Sequence, residues 1–463
     1  MQQDALALAE AICGGEVTAL EAMDASIAAA DLQEDFGATS FIDAELGRRA
    51  ATAWDAQPTD RLHAVFGGVP SLVKDLGGPF KDWPVRAGSR LFEDNLNRNA
   101  DSDLARHLRA TGLCIFGMTS VPEFGLSLVT EPAIGSPCRN PIAHHLTAGG
   151  SSGGAAAAVA QGIVAIAHAT DAGGSIRVPA ACCGLVGLKP SRGAVPDGPK
   201  FDNHLNGLAA ELAVCRSVRD ADAVFQTVAN NLEARTRSAQ DHRNLRIGVL
   251  TDTGAETPTC DDHLMATQHA AEALAKSNGR LTDIAWSEME PLAQTSGDVF
   301  AAIICANLAA FFKSASLDAS KAETITQAAV ERGLSMSATE LVAIESSMVR
   351  VSYRLWQMFE HVDCIVAPML ASPPKPIGSM PMDHGNIDEH FGKMTAFSPT
   401  ATLANVSGFP SLTLPFGEDA DRLPLPVQLI APMGEEPLLL SLATHLEAEE
   451  RWQQRFPVAG LPQ

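Results

Sequence analysis

Two serines set among glycines, Ser151 and Ser175, lie 24 residues apart, and the stretch between them consists mostly of small and apolar residues. Its pattern predicts a small-residue helix from Gly153 and then a buried strand over residues 163–170. A helix followed by a strand returns the chain to the point where the helix began, so we expect both serines to lie at one site. Because glycine has no Cβ atom, a ligand can approach the main chain of both turns closely.

Short β-like segments and helical segments alternate through the first half of the chain. Apolar runs over residues 69–75 and 113–118 are typical of buried strands, and Thr18 and Ser102 occupy the N-cap positions of predicted helices. This alternation favours an α/β protein in which helices cover both faces of a large buried sheet.

The second half of the chain raises the question of domain organisation. A polar stretch over residues 233–244 precedes an apolar run that predicts a new strand, which marks a possible smaller subdomain or insertion within residues 233–395. We otherwise expect residues 1–463 to form a single domain. A loop rich in Pro, Gly and Met is predicted over residues 368–390, and loops of this length are uncommon unless they are functional or mobile. Further helices are predicted over residues 261–275, 338–361 and 436–449.

The composition excludes several classes of partner. A net charge of −22 and a pI near 4.9 oppose binding to nucleic acid or to an anionic membrane, because both need basic patches. The most apolar stretch, residues 155–169, is too short to span a bilayer. Nine cysteines without a C-x-x-C pair favour free thiols, and no secretory signal is recognisable. We therefore expect a cytoplasmic protein, a monomer or a homodimer, that acts on a small molecule.

The residues alone leave four interpretations of the glycine-rich serines open. Ser151 satisfies G-x-S-x-G, the nucleophile elbow of α/β-hydrolases. Ser71 and Lys74 satisfy S-x-x-K, although the S-D-N and K-T-G patterns that accompany it in β-lactamases are absent. The loops could instead hold a phosphate, but no G-x-x-x-x-G-K-[ST] is present. Lastly, they could be tight turns in which glycine only permits close packing.

Longer motifs narrow this choice. Residues 67–75 read GGVPSLVKD, residues 149–154 read GGSSGG, residues 171–180 read DAGGSIRVPA, and residues 183–190 read CGLVGLKP. In this order the motifs strongly resemble the amidase signature family of serine hydrolases, and weaker similarity extends over almost the whole chain. The resemblance implies the family's α/β fold, in which a large mixed β-sheet core is sandwiched by helices on both faces.

The resemblance also implies a catalytic triad. Transferred position by position, Ser175 is the nucleophile, Lys74 is the base, and Ser151 is the serine that bridges them. A serine hydroxyl is a poor nucleophile until a neighbour removes its proton, and a lysine can do so only in its neutral form, which burial favours. Ser151 would carry the proton from Ser175 to Lys74 and return it to the departing nitrogen.

Further roles follow from the same resemblance. The peptide bond before the bridging serine, Gly150–Ser151, would be cis. An oxyanion hole stabilises the negative charge that develops on the carbonyl oxygen. Its donors would be the main-chain N–H groups of Ala172, Gly173, Gly174 and Ser175.

Supporting residues are implied as well. Asp171 and Arg177 would form a structural ion pair that braces the nucleophile loop, and Ser152 would hydrogen-bond to the lysine or to the loop. The histidines of the chain lack a spacing such as H-E-x-x-H, so no metal is expected, and the implied reaction needs no cofactor.

The expected reaction is hydrolysis of the C–N bond of a small-molecule amide through an acyl-enzyme on Ser175. Carbamate (urethane) or ester hydrolysis is a related possibility, and the alternative is the ammonia-producing glutaminase subunit of a tRNA-dependent amidotransferase. Residues 118–124 resemble general amidases more than such subunits, which favours a stand-alone enzyme. The chain departs from the family at Pro426, where glycine is usual, and this difference bears on the local backbone geometry of the closing strand, not on the triad.

Overall fold

A computed structural model describes residues 3–56, 64–93, 100–196, 204–229, 244–254, 258–276 and 279–462. Its centre is one sheet of 11 strands. These are β1 (Thr39–Ile42), β2 (Pro70–Lys74), β3 (Cys114–Thr119), β4 (Ile166–Asp171), β5 (Val186–Lys189), β6 (Ala210–Cys215), β7 (Arg246–Val249), β8 (Arg280–Asp283), β9 (Cys364–Pro368), β10 (Ser411–Glu418) and β11 (Pro424–Ile430).

The strand order across the sheet is β1-β3-β2-β4-β6-β5-β10-β11-β9-β7-β8. Strand β2 is parallel to β3 and to β4, and β7 is parallel to β8 and to β9, while the other neighbours are antiparallel. The sheet is therefore mixed, and the predicted α/β class is confirmed.

Fifteen helices accompany the sheet in the described part of the chain. They are α1 (Ala5–Gly14), α2 (Ala19–Leu32), α3 (Ala44–Asp55), α4 (Asp103–Ala110), α5 (Gly153–Ala160), α6 (Arg177–Cys183), α7 (His204–Gly207), α8 (Val218–Val228), α9 (Asp261–Ala275), α10 (Trp286–Ser314), α11 (Thr324–Ser335), α12 (Ala338–Phe359), α13 (Ile387–Phe397), α14 (Ala401–Ser407) and α15 (Glu436–Glu447).

Helix α5 and strand β4 connect the two serine turns, as the sequence predicts. Every residue of α5 is buried, and its small side chains allow close packing: a Cβ atom on Gly154 would lie 2.4 Å from the main-chain nitrogen of Ser120. The strand begins at Ile166 rather than at residue 163, because the chain first turns at Gly162, whose φ is 76°. Strand β4 then lies beside β2, so the loop after β4 reaches the end of β2.

In the second half of the chain, the structure agrees with part of what the sequence predicts. The predicted helices near residues 261–275, 338–361 and 436–449 are confirmed as α9, α12 and α15. The predicted loop over 368–390 is too long, because Asn386 caps α13 with its side chain and the helix begins at Ile387.

The longest helix, α10, was not predicted from the sequence. It has 29 residues and contains Pro291, which obscures a helical pattern. By length and composition alone it is apolar enough to cross a membrane, and 56% of its apolar window is buried inside the protein.

The subdomain within residues 233–395 stays a prediction, since residues 230–243, which contain most of the predicted polar linker, lie outside the described part of the chain. Strands β7, β8 and β9, which belong to this segment, continue the same sheet as β2 and β4.

Candidate active site

Lys74 is the last residue of β2, and its side chain is buried between the two serine turns. Its Nζ atom lies 2.8 Å from Ser151 Oγ, 2.8 Å from Thr170 Oγ1 and 3.4 Å from the Thr170 carbonyl oxygen. Burial lowers the pKa of Lys74 to about 7, against the opposing charges of Asp171 and Glu211. A substantial fraction of this amine is therefore neutral at neutral pH and able to accept a proton.

Ser151 lies in a turn that only glycine can complete. The Gly150–Ser151 peptide bond is cis in the structure, as the family resemblance implies. A Cβ atom on Gly150 would lie 2.8 Å from the main chain at Ser127, Leu128 and Val129, so a side chain there would clash with backbone. Thr130 Oγ1 holds the turn by donating to the Gly149 carbonyl at 2.9 Å and accepting from the Gly153 N–H at 3.1 Å.

Ser152 contacts the end of strand β4. Its hydroxyl donates to the Thr170 carbonyl oxygen at 3.2 Å, the same oxygen that Lys74 Nζ approaches. Ser152 is expected to bond to the lysine or to the loop: no bond to Lys74 is formed among the described residues, and the Ser152 N–H donates to the carbonyl of Ser175 in the loop at 3.3 Å. Ser152 therefore supports the site by fixing the strand residue that also holds Lys74.

Ser175 lies in the loop between β4 and α6. The Asp171 carboxylate at the start of the loop accepts hydrogen bonds from the N–H groups of Gly174 at 2.7 Å and Ile176 at 3.2 Å. Ser175 is 7% exposed, and its carbonyl accepts a hydrogen bond from the Ser152 N–H at 3.3 Å. This bond joins the two serine turns, so the structure brings Lys74, Ser151 and Ser175 together.

The two halves of the predicted proton path differ in the structure. The Lys74–Ser151 hydrogen bond is formed, whereas the Ser175 hydroxyl has no hydrogen-bond partner among the described residues. Hydrogen bonds in the unliganded site of an enzyme are often longer than those in the substrate complex.

The predicted oxyanion hole needs one correction. The N–H of Gly174 is already donated to the Asp171 carboxylate, so it is not free for a ligand. The N–H groups of Ala172, Gly173 and Ser175 have no acceptor within the described residues. Three of the four predicted donors are thus free, and the fourth stabilises the loop.

The Asp171–Arg177 ion pair, which the family resemblance implies, is formed and completely buried. The two side chains meet at 2.9 Å (Nε to Oδ2) and 3.0 Å (Nη2 to Oδ1). Burial raises the pKa of Asp171, but the guanidinium of Arg177 outweighs this and holds the pKa well below its usual range. The carboxylate therefore stays ionised and continues to hold the loop.

Two residues of this brace were missed by sequence reasoning. Asn405 Nδ2 donates to Asp171 Oδ1 at 2.9 Å, and Gln428 Oε1 accepts from Arg177 at 2.8 Å. A buried polar residue among apolar neighbours was the available signal, since both side chains are almost fully buried. Pro426 faces Pro415 in the β10–β11 pair, two residues before Gln428, and does not prevent this contact.

A large mixed sheet that carries a buried lysine, a cis-linked serine and a second serine in a glycine-rich loop defines the amidase signature class of enzymes. The chain belongs to the amidase family, because the family model described as Amidase matches residues 21–440. It is thus a hydrolase of the amidase class, which acts on amide C–N bonds.

Individual relatives support this assignment. The protein AmiC of Mycobacterium bovis, which is named as an amidase, is 32% identical to this chain, and the match covers 97% of this chain and 95% of AmiC. The 6-aminohexanoate-cyclic-dimer hydrolase of Paenarthrobacter ureafaciens is 29% identical over 98% of this chain and 96% of its own. A solved structure of 6-aminohexanoate cyclic dimer hydrolase covers 98% of both chains with a TM-score of 0.88 and 27% identity.

Proposed function

We propose that this amidase cleaves a small-molecule amide through an acyl-enzyme on Ser175, with Ser151 carrying protons between Ser175 and Lys74. The observation that carries the proposal is the 2.8 Å hydrogen bond between Lys74 Nζ and Ser151 Oγ, made by a lysine that is 1% exposed. Such burial disfavours the ammonium form, so the amine is available as a base.

The first step forms the acyl-enzyme. Ser175 Oγ attacks the carbonyl carbon of the amide while its proton passes to Ser151 Oγ, and the Ser151 proton passes to Lys74 Nζ. The carbonyl oxygen becomes an oxyanion, which the free N–H groups of Ala172, Gly173 and Ser175 stabilise. Each lost donor of this kind costs on the order of 3 kcal/mol in the transition state.

The second step expels the amine and restores the enzyme. The Lys74 ammonium returns its proton through Ser151 to the departing nitrogen, so that a neutral amine leaves when the C–N bond breaks. A water molecule then attacks the acyl-enzyme, its proton follows the same path to Lys74, and the proton returns to Ser175 Oγ as the acid leaves.

Several properties extend this proposal. The name of the 6-aminohexanoate-cyclic-dimer hydrolase suggests cyclic amides as substrates, and linear amides, carbamates or esters would react by the same steps. All nine cysteines are free, which supports a cytoplasmic setting. The reaction uses only side chains and main-chain N–H groups of this chain, so it needs neither a cofactor nor a partner protein, whether the enzyme is a monomer or a homodimer.

A fluorophosphonate probe tests the nucleophile. We expect one adduct, mapped by mass spectrometry to Ser175, which is lost in Ser175→Ala and strongly slowed in Lys74→Ala. Ser407→Ala is a matched control, because Ser407 is a buried serine that donates only to helix carbonyls in the described structure. An adduct on Ser151 that persists in Ser175→Ala would support the nucleophile-elbow alternative instead.

A substrate panel tests the reaction class. The purified chain is expected to hydrolyse simple amides, anilides or cyclic oligoamides without any second protein. A glutaminase subunit would instead release ammonia from glutamine only in the presence of its partner, and that result would overturn the stand-alone assignment.

A further inference from the structure

A buried histidine and a buried glutamate lie directly beneath Lys74. His168 is on β4 and Glu211 is on β6, and they are 4% and 1% exposed. In the antiparallel β4–β6 pair His168 faces Ala213 and Thr170 faces Glu211, so His168 and Glu211 are diagonal neighbours on one face of the sheet. Their side chains meet at 2.9 Å between His168 Nε2 and Glu211 Oε2.

This pair is connected to the main chain of the lysine. The N–H of Lys74 donates to His168 Nδ1 at 3.2 Å, which requires Nδ1 to be unprotonated. The ring proton is therefore on Nε2 and is donated to Glu211, whose other oxygen accepts the N–H of Gly78 at 2.9 Å. The result is a continuous chain of hydrogen bonds from Glu211 through His168 to Lys74.

The sheet itself does not provide this connection. The only residue pair in the parallel β2–β4 register is Leu72 with Ala167, two residues before Lys74. The end of β2 is thus tied to β4 through the His168 ring. The Lys74 side chain then crosses to Thr170 on that same strand, so any displacement of the Lys74 main chain would also move Nζ relative to Ser151.

We propose that the His168–Glu211 pair positions the lysine base, by fixing the Lys74 main chain and by placing a permanent negative charge behind it. The proposal rests on the function proposed above, in which Lys74 is the base. Both residues act through Lys74 and contact none of the reacting atoms, so they are positioning residues.

The charge of Glu211 is maintained by its surroundings. Burial raises the pKa of Glu211, but hydrogen bonds from His168 and Gly78 outweigh it, so the pKa lies below the usual value and the carboxylate is ionised at neutral pH. Together with the larger effect of Asp171, this charge raises the pKa of Lys74 against the effect of burial. Glu211 therefore helps to keep the lysine from becoming too weak a base.

The other groups around Lys74 can be separated from this effect. Strand β4 also contributes Asp171, whose charge raises the pKa of Lys74 more than that of Glu211 does and which none of the test variants replaces. Asp75 directly follows β2, and burial raises its pKa to about 7. Strand β3 contributes only the thiol of Cys114 at the far end, opposite Pro70, and α5 contributes no titratable residue. The charged residues of α2, namely Glu21, Asp24 and Asp31, are exposed.

Glu211→Gln tests the electrostatic part, and Glu436→Gln is its matched control. Glu436 is also fully buried and also accepts a main-chain N–H, from Ser191 at 2.7 Å, but its charge does not act on Lys74. In Glu211→Gln we expect the acid limb of the kcat/KM profile to move to lower pH by about half a unit or more. Glu436→Gln should leave that limb in place.

His168→Asn tests the positioning part and remains informative if Glu211→Gln does not fold. Asparagine can still offer an oxygen near the position of Nδ1 to the Lys74 N–H, whereas His168→Ala cannot. We expect kcat to fall in His168→Ala by at least about tenfold and to be partly restored in His168→Asn, with KM little changed. The readout for this part is kcat and its recovery rather than the acid limb, because His168→Ala also removes the hydrogen bond that helps to keep Glu211 ionised.

The outcomes separate this inference from the function on which it rests. If Lys74→Met keeps its activity, the proposed base is wrong and the inference falls with it. If Lys74→Met is inactive, the inference alone is overturned by either of two results: folded Glu211→Gln with an unmoved acid limb, or folded His168→Ala with unchanged kcat. Cooperative urea unfolding of each variant shows that it is folded.

Discussion

Lys74 and Lys189 are two buried lysines at the ends of strands β2 and β5, and each is 1% exposed. Burial lowers the pKa of both to about 7. Their partners differ: Lys74 Nζ meets the hydroxyls of Ser151 and Thr170, whereas the described hydrogen bond of Lys189 Nζ goes to the Pro190 carbonyl at 2.6 Å. A carbonyl oxygen has no proton to give, so burial makes both amines weaker bases that can be neutral at neutral pH, and the neighbouring hydroxyls distinguish Lys74, the base that we propose.

Replacing each lysine by methionine tests this comparison most strongly. Lys74→Met should lower kcat/KM roughly 100- to 10,000-fold, because the base that activates the nucleophile is removed. Lys189→Met should retain most of the activity. Initial rates on one anilide substrate decide the matter, and an equal loss in both variants would show that the two lysines are not functionally different.

The pH dependence of the rate should follow Lys74. Only the neutral amine accepts a proton, so kcat/KM should fall about tenfold per pH unit below pH 7, where Lys74 is protonated, and level off above it. Lys189→Met should show the same acid limb. If the acid limb disappears in Lys189→Met, the group that titrates near pH 7 is Lys189 and not Lys74.

The free energy of unfolding should depend on the protonation of both lysines, whereas the rate should depend on that of Lys74 alone. Since the folded-state pKa of Lys189 is about 7 and its unfolded value is about 10.4, the unfolded chain binds more protons in this window. The free energy of unfolding therefore rises with pH from about 7 to 10, and Lys189→Met should reduce that slope by at most about 1.4 kcal/mol per pH unit. Urea titrations at several pH values measure it; an unchanged slope would mean that Lys189 keeps its proton.

Ser152 should give the smallest effect. Ser152→Ala removes the hydrogen bond to Thr170, for which we expect a loss of about 0.5–1.5 kcal/mol in unfolding free energy and a modest decrease in rate. Ser407→Ala removes a comparable buried bond, to Leu403, and should cost similar stability without the rate decrease. If both variants lose the same activity, Ser152 has no particular connection to Lys74.

The parts of the site that the sequence predicts are those contained in short segments. Lys74, Ser151, Ser175 and the Asp171–Arg177 pair each belong to a local motif, so their types and spacing are visible before folding. The remaining partners come from distant strands and helices: Glu211 is 43 residues from His168, and Asn405 is 234 residues from Asp171. No local sequence pattern predicts such contacts, because they arise from the order of the strands in the sheet.

The secondary structure also divides into elements that a continuous local pattern predicts and elements whose pattern is interrupted. The helix and strand between the two serines are predictable because small and apolar residues are continuous there. Helix α10 was missed because Pro291 and Gly297 interrupt its pattern, although Phe300 on that helix packs against Gly173. The assignment of Gly174 to the oxyanion hole failed for a related reason, since the direction of an N–H group depends on the local conformation, here a φ of 116°.

The hydrogen bond from Gly174 to Asp171 has a consequence for the resting enzyme. The Asp171 carboxylate accepts the N–H groups of Gly174 and Ile176, whereas those of Ala172, Gly173 and Ser175 have no acceptor among the described residues. The loop is therefore held by a negative charge before any substrate binds, and in the proposed reaction it would not need to reorganise when the oxyanion forms.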